Sequence, residues 1–235
     1  MKRKLFFLLV LLILASCKKD NQKYFPLKNG HIWNYNVVIN PGVEDKINYK
    51  KINSSIEGTL IKKPGIEETI PVHPILREDD SIYYYSKNKN GIFREGIQFK
   101  RESPVIFEKN KKYVLKYPIK IGTKWNSVSK TFLIIRRYAY FDYRATTMFD
   151  INYEIKSLTE TIKVPAGNFK NCVKVVGKGE TTFIGDREIG SIKIKIMTND
   201  WYAPKVGLVK SIRWEETDSD LFGKSKMVQV LDDFK

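Results

Sequence analysis

The sequence has little of the chemistry on which most enzymes and metal sites depend. Its 235 residues include two cysteines and two histidines, His31 and His73, which lie far apart in the chain. It contains no HExxH pair, no Walker loop, no dinucleotide-binding glycine pattern and no G-x-S-x-G turn. So few cysteines also exclude a disulfide scaffold. The sequence therefore predicts no metal site, no cofactor and no enzyme activity.

Long hydrophobic runs are absent except for one at the N-terminus. There Lys2, Arg3 and Lys4 precede an apolar run from Leu5 to Leu14. A membrane-spanning helix needs about 20 such residues, so a run of half that length indicates a signal peptide.

The apolar run ends in Leu14-Ala15-Ser16-Cys17, which resembles the bacterial lipobox. In that signal the cysteine is lipidated and becomes the new N-terminus after cleavage. The resemblance implies a signal peptide at 1–16 and palmitate on Cys17. The polar residues that follow predict a short lipidated tether at 17–23, and the β-forming residues after it predict a single β-rich extracytoplasmic domain at 24–235. Two or three acyl chains anchor a protein stably. The alternative is an ordinary secretory peptide or an uncleaved anchor.

Acidic residues are few beside basic ones. The chain has 26 Asp and Glu against 42 Lys and Arg, which gives a formal net charge of +16. Such a charge attracts anionic phospholipid or lipopolysaccharide, although scattered lysines are more simply a solvated surface. The acids cluster at Glu215, Glu216, Asp218 and Asp220, where we expect a solvated hairpin loop rather than a calcium site.

The pattern of the chain after residue 24 predicts a mostly β fold. Ile192, Ile194 and Ile196 alternate with Lys193 and Lys195, which is the period of a half-buried strand. Turn residues separate such runs, and no capped helical periodicity is sustained. We therefore expect a meandering antiparallel sheet with few short helices.

A hairpin turn is predicted at Pro-Ala-Gly-Asn, residues 165–168. Proline presets φ for a turn and glycine relieves its steric cost, and both flanks alternate in β-forming residues. The strand that follows carries Cys172. With Cys17 lipidated, the thiol of Cys172 has no partner for a disulfide, and we expect it to be buried and structural.

Aromatic residues supply the candidate binding positions. Two segments share the pattern P-[LI]-K-x-G-x-x-W and end at Trp33 and Trp125. Each segment is either a structural turn that precedes a strand or a site where the tryptophan ring stacks on a ligand. Residues 136–144 mix arginine with aromatics, which in an extracytoplasmic protein favours a glycan- or lipid-facing surface over nucleic acid. The candidate ligand-binding residues are Trp33, Trp125, Arg136, Arg137, Tyr138, Tyr140 and Trp201.

Three blocks of the sequence resemble the motifs of a known family. They are YFPLKNGHIWNY at 24–35, VPAGNFKNCVKV at 164–175 and WYAPKVGLVK at 201–210. Similar blocks occur in uncharacterised secreted and lipoprotein domains that are common in the Bacteroidetes. The resemblance implies a β-rich half-barrel, as in the lipoprotein-carrier class, in which a curved sheet wraps around a core. It implies no activity and no catalytic residues.

Two hypotheses on function remain. The first is a non-enzymatic outer-membrane lipoprotein of the cell envelope, facing the periplasm or the surface, which binds an amphiphilic ligand or serves in envelope assembly. The second is a hydrolase of envelope glycans or lipids with an unrecognised active site. The missing nucleophile and metal signatures favour the first. The expected partners are the membrane, through the lipid anchor, and a lipid or glycan ligand; nucleic acid is not expected, and the oligomeric state stays open.

Replacing Cys17 by serine should abolish lipidation, because the lipid-bearing thiol is removed. Metabolic labelling with a palmitate analogue should mark the wild-type protein and leave Cys17→Ser unlabelled and absent from the membrane fraction. Absence of label on the wild-type protein would contradict the lipoprotein prediction.

Overall fold

The computed structural model describes residues 21–235, so the predicted signal peptide and Cys17 lie outside the described residues. A short 3-10 helix, Asn21–Tyr24, comes first, and no helix in this part of the chain is long and apolar enough to cross a membrane. The strands that follow within residues 21–235 are β1 (Ile32–Asn40), β2 (Ile47–Ser55), β3 (Thr59–Lys62), β4 (Thr69–Arg77), β5 (Ile82–Asn88), β6 (Gly91–Gln98), β7 (Ile106–Lys116), β8 (Lys124–Lys130), β9 (Ile135–Arg137), β10 (Asp142–Arg144), β11 (Met148–Val164), β12 (Gly167–Ile184), β13 (Ser191–Ala203), β14 (Gly207–Thr217) and β15 (Lys224–Phe234).

One antiparallel sheet of 13 strands forms the body of the protein. Its order is β7-β6-β5-β4-β2-β1-β15-β14-β13-β12-β11-β8, with β3 added beside β4. The sheet curls until its two edge strands approach each other, and Leu115 of β7 and Trp125 of β8 enter one apolar cluster. The structure is 66% strand and has no α-helix within residues 21–235. The predicted mostly β, half-barrel fold is confirmed.

The predicted alternation and the predicted hairpin are both present. In β13 the isoleucines Ile192, Ile194 and Ile196 are buried while the intervening lysines are exposed. β11 ends at Val164 and β12 begins at Gly167, so the chain reverses at the predicted place through Pro165 and Ala166, and Gly167 and Asn168 already belong to the second strand. Cys172 is 0% exposed, and its Sγ donates a hydrogen bond to the Phe169 carbonyl at 3.4 Å. Burial raises the pKa of this thiol to about 11, as expected for a structural cysteine.

The concave side of the sheet, called the inner face below, is densely packed at one end. A row of paired residues crosses it from Ile151 through Gly179 and Ile196 to Glu215. A Cβ atom added at Gly179 would lie 2.6 Å from Cε2 of Phe149. Glycine is therefore needed there, because it lets the Phe149 ring lie against the strand.

Residues 131–147, which include β9 and β10, form a cap over this end of the inner face. Ile134 and Ala145 are buried in one cluster with Ile151 and Ile194 of the sheet. Thr131 holds the two ends of the cap together. Its Oγ1 donates to the Ala145 carbonyl at 2.7 Å and accepts from the backbone N–H of Thr147 at 2.9 Å.

The buried carboxylate of Glu215 joins the cap to the sheet. Its oxygens accept hydrogen bonds from the backbone N–H groups of Phe132 and Leu133, at 3.1 and 2.9 Å. Arg213 Nε donates to the same carboxylate at 2.8 Å, and Arg213 Nη2 donates to the Lys130 carbonyl at 2.9 Å. Glu215 is 0% exposed, so its charge is stabilised by these groups rather than by water.

The expectation of a solvated acidic loop is therefore wrong for Glu215. Asp218 and Asp220 are exposed in the turn between β14 and β15, as expected. Glu215 and Glu216 belong to β14, where successive side chains point to opposite faces. Glu216 consequently faces solvent beside Lys224, while Glu215 faces the cap.

Replacing Glu215 by alanine should lower the free energy of unfolding by about 3–5 kcal/mol, because Arg213 is left buried without its counter-charge. Chemical denaturation measures this loss, and limited proteolysis should detect earlier cleavage within the cap.

The matched control is Glu216→Ala, which removes a solvent-exposed pair with Lys224 at 2.9 Å. Exposed pairs contribute little to stability because water screens them, so this variant should unfold almost like the wild type. If the two variants lose the same free energy of unfolding, the role assigned to Glu215 is contradicted.

Candidate functional site

Beyond the cap, the inner face holds a concavity made of two lobes. Lobe one has a volume of about 210 Å³ and lobe two about 180 Å³. Tyr85, Val114 and Tyr202 line both, so the lobes adjoin. Together they lie within the range of ligand pockets, about 300–1,000 Å³, near its lower end.

Aromatic rings are prominent in the lining of both lobes. In lobe one Tyr35 is buried, and its hydroxyl donates to the Leu208 carbonyl at 3.0 Å. Burial raises the pKa of Tyr85 to about 12, so this phenol stays neutral near pH 7. Such side chains offer a ligand both a flat apolar surface and a hydrogen-bonding hydroxyl. The rings of lobe one are Phe25, Trp33, Tyr35, Tyr83, Tyr85 and Tyr202.

One wall of the concavity carries four basic residues, called the cationic wall below. They are Lys51 on β2, Arg77 on β4, Arg94 on β6 and Lys112 on β7. Between Arg77 and Arg94 lies Tyr83 of β5, whose ring centroid is 4.9 and 4.8 Å from the two guanidinium carbons. These strands follow one another in the sheet, so the charges form a continuous stripe.

The two arginines of the cationic wall have different partners. Arg94 Nε donates to Glu108 Oε1 at 2.7 Å, in an ion pair. Arg77 Nη1 donates to the Tyr83 hydroxyl at 2.7 Å, whereas its Nη2 is 3.9 Å from Glu78 Oε1, too far for a hydrogen bond. Arg77 Nε is buried and makes no hydrogen bond within residues 21–235. The guanidinium of Arg77 therefore keeps an unused donor.

The neighbour of Arg77 in the sheet register is also incompletely paired. Asn53 of β2 lies opposite Arg77 of β4. Its Oδ1 is buried and accepts no hydrogen bond from any residue that the structure describes. A buried acceptor without a partner costs about 1–3 kcal/mol. Lobe one thus contains an adjacent donor and acceptor that the fold itself does not satisfy.

Burial and neighbouring positive charge lower the pKa of both lysines of the cationic wall. Burial, and then the charge of Arg77, lowers the pKa of Lys51 to about 8. Its Nζ donates to Gln229 Oε1 at 3.2 Å. Burial, followed by the charge of Arg94, likewise lowers the pKa of Lys112 to about 8.

The opposite wall contributes one carboxylate. Asp200 of β13 lines lobe two, and burial raises its pKa to about 6. It is the one carboxylate among the described residues that line either lobe. The concavity is therefore basic overall, with its acidic group confined to lobe two.

Three tryptophans were predicted to bind ligand, and the structure brings one of them to lobe one. Trp33 lines lobe one, and its Nε1 donates to the Val206 carbonyl at 2.6 Å. Trp125 is buried and stacks on Tyr153, a residue of lobe two, with ring centroids 5.4 Å apart. Trp201 lies in the lining of neither lobe and is buried beside Lys174.

The other four predicted residues lie on the cap, away from the concavity. Arg136 Nη1 is 3.4 Å from Glu44 Oε1, and Arg137 pairs with Asp142 at 3.9 Å. Tyr138 is 44% and Tyr140 98% exposed. Their role in ligand binding stays a prediction, separate from the lobes.

Replacing Lys51 by methionine should stabilise the protein at pH 7. The unfolded chain holds the Lys51 proton up to about pH 10.5 and the folded protein only up to about pH 8. Charged Lys51 therefore destabilises the fold below pH 8, and this cost disappears as the pH rises to 10.5. We expect a gain of about 1–3 kcal/mol at pH 7, measured by urea denaturation across this pH range.

Lys50→Met is the matched control, because the Lys50 side chain is 78% exposed on the same strand. It should leave the free energy of unfolding at pH 7 almost unchanged. Destabilisation by Lys51→Met at pH 7 would contradict the desolvation of this lysine.

The match to a protein family concerns the second half of the chain. Residues 114–226 match the model of the DUF3108-like family, a stretch that contains the cap, Glu215 and Asp200 but neither Lys51 nor Arg77. No curated protein matches the chain.

Two solved structures from Bacteroidetes-type bacteria are similar at low identity. One, from Bacteroides fragilis, is thought to be exported and has a YmcC-like fold; it shares 13% identity over 90% of this chain and 98% of its own, with a TM-score of 0.40. The other, from Parabacteroides distasonis and provisionally classed as a lipoprotein, shares 16% identity over 92% of this chain and 100% of its own, with a TM-score of 0.38. With TM-scores below 0.5, neither supports a conclusion about this chain. Over residues 114–226 the chain is similar to the DUF3108-like family, and the predicted resemblance to an uncharacterised family with a β-rich, half-barrel domain is confirmed.

Proposed function

We propose that this protein is a non-enzymatic, membrane-anchored lipoprotein of the bacterial outer membrane that binds an amphiphilic ligand in its concavity. The observation that carries the proposal is the lining of lobe one, where tyrosine rings lie beside Lys51 and Arg77. Ligand sites combine a mainly apolar lining with a few placed polar groups, and lobe one has this composition.

The path of the N-terminus also supports the proposal. Phe25 and Pro26 line lobe one, and the backbone N–H of Lys205 donates to the Lys23 carbonyl, which fastens the start of the domain nearby. The seven residues of the predicted tether, 17–23, span at most about 25 Å. A lipid on Cys17 would therefore hold lobe one close to a membrane surface, where amphiphiles are available.

The alternative, hydrolysis of a glycan, has less support in the lining of the concavity. Glycosidases use two carboxylates that flank the bond to be cleaved. Among the described residues, Asp200 lines lobe two without a second carboxylate in either lobe. Binding without catalysis is the function for which the lining supplies suitable groups.

Filling the concavity should remove binding. Val114 lines both lobes, so Val114→Trp should lower the affinity for decanoate at least about tenfold, by occupying the ligand's volume. Isothermal titration calorimetry on purified protein measures the affinity, and circular dichroism verifies that the variant is folded.

The control is Val128→Trp, at a position of β8 that is 40% exposed. It adds the same side chain outside the lobes and should bind like the wild type. Equal affinities for Val114→Trp and the wild type would contradict binding in the concavity, as would the absence of saturable binding by the wild type to any amphiphile.

A further inference from the structure

The distribution of charge within the concavity differs between its lobes. In lobe two Arg94 is paired with Glu108, and Asp200 adds a second acid nearby. In lobe one Lys51 and Arg77 line the wall with no carboxylate among the lining residues that the structure describes. An anion in the concavity would therefore be attracted to lobe one and repelled by Asp200.

Arg77 lines lobe one and keeps a donor that an anion could use. The Tyr83 hydroxyl accepts from Nη1, and the Tyr83 ring lies 4.9 Å from the guanidinium carbon. These contacts fix the plane of the guanidinium. Its Nε, buried and without a hydrogen bond, remains available. Guanidinium groups bind carboxylate and phosphate oxygens through such donors, in a fixed geometry.

Lys51 and Asn53 complete a cradle around this donor. They are alternate residues of β2 and therefore lie on the same face of the strand. Lys51 supplies a second positive charge close enough to Arg77 for the two charges to interact. Asn53 Oδ1, buried and without a donor, matches a hydroxyl or a protonated oxygen of a headgroup.

We propose that lobe one binds the oxyanion of an amphiphilic ligand, a carboxylate or a phosphate, through Arg77 and Lys51. This inference rests on the proposed function and specifies the chemical class of the amphiphile. The apolar part of the ligand lies against Tyr85 and Tyr202, which continue from lobe one into lobe two. Desolvation makes each contact to the anion stronger than the same contact would be in water.

Four ten-carbon amphiphiles with different headgroups test this ligand class. Decanoate, decyl phosphate, decyl maltoside and decyltrimethylammonium are titrated as monomers into the purified protein by isothermal titration calorimetry. At least one of the two anions should bind about tenfold or more tightly than the neutral and cationic compounds. If decanoate binds more tightly than decyl phosphate, the oxyanion comes from a fatty acid carboxylate. If decyl phosphate binds more tightly, the oxyanion comes from a phosphorylated lipid. Either result supports the proposal.

Variants of the cradle show whether the preference for anions arises in lobe one. Arg77→Gln and Lys51→Met should each lower the affinity for the preferred anion by about tenfold and leave decyl maltoside unaffected. Lys51→Met is informative even if Arg77→Gln fails to fold, because it removes a destabilising charge. The matched control is Lys210→Met, which removes a lysine beside Trp201, outside the lobes.

The outcomes separate this proposal from the proposed function. Equal affinity for neutral and anionic compounds, or unchanged anion binding by both cradle variants, would overturn the oxyanion site while amphiphile binding stands. If Lys210→Met lowers the affinity for the anion as much as the cradle variants do, the oxyanion site is also overturned, because the effect would then come from the net charge of the protein. Failure of all four compounds to bind would overturn the proposed function itself.

Discussion

The buried carboxylate of Glu215 is the constraint on which the arrangement of the inner face depends. It accepts backbone hydrogen bonds from Phe132 and Leu133 and is paired with Arg213, so it fixes the cap against one end of the sheet. Burying a carboxylate is costly unless every oxygen is satisfied, and these contacts supply the partners. Because the cap closes one end of the curved sheet, the remaining concave surface is left as a defined concavity.

The polar groups of the concavity lower the stability of the fold, as the polar groups of binding sites often do. Lys51 and Lys112 are desolvated, as their pKa values of about 8 indicate, and Arg77 and Asn53 each keep a buried polar atom without a partner. A sheet that served only as a scaffold would be more stable with apolar side chains at these positions. The proposed anion offsets the costs at Lys51 and Arg77, because its oxygens supply acceptors to both cations, and a hydroxyl of the headgroup would supply a donor to Asn53.

Sequence reasoning identified the architecture because its signals are local. The alternation in β13 and the turn at 165–168 each depend on neighbouring residues. The site was harder to foresee, because Lys51, Arg77 and their partners are spread over four strands and look like ordinary surface charges in a lysine-rich chain. Only strand order brings them together. Among the predicted aromatics, Trp33 reached lobe one because it belongs to β1, which lies at the centre of the sheet.

Native mass spectrometry of the protein extracted from its own membrane tests the central claim, a concavity that holds an anionic amphiphile, most directly. The account predicts a retained anionic lipid or fatty acid on the wild-type protein, released on unfolding and lost from Lys51→Met but kept by Lys50→Met. A wild-type protein that is free of ligand, or a ligand retained equally by all three proteins, would contradict it.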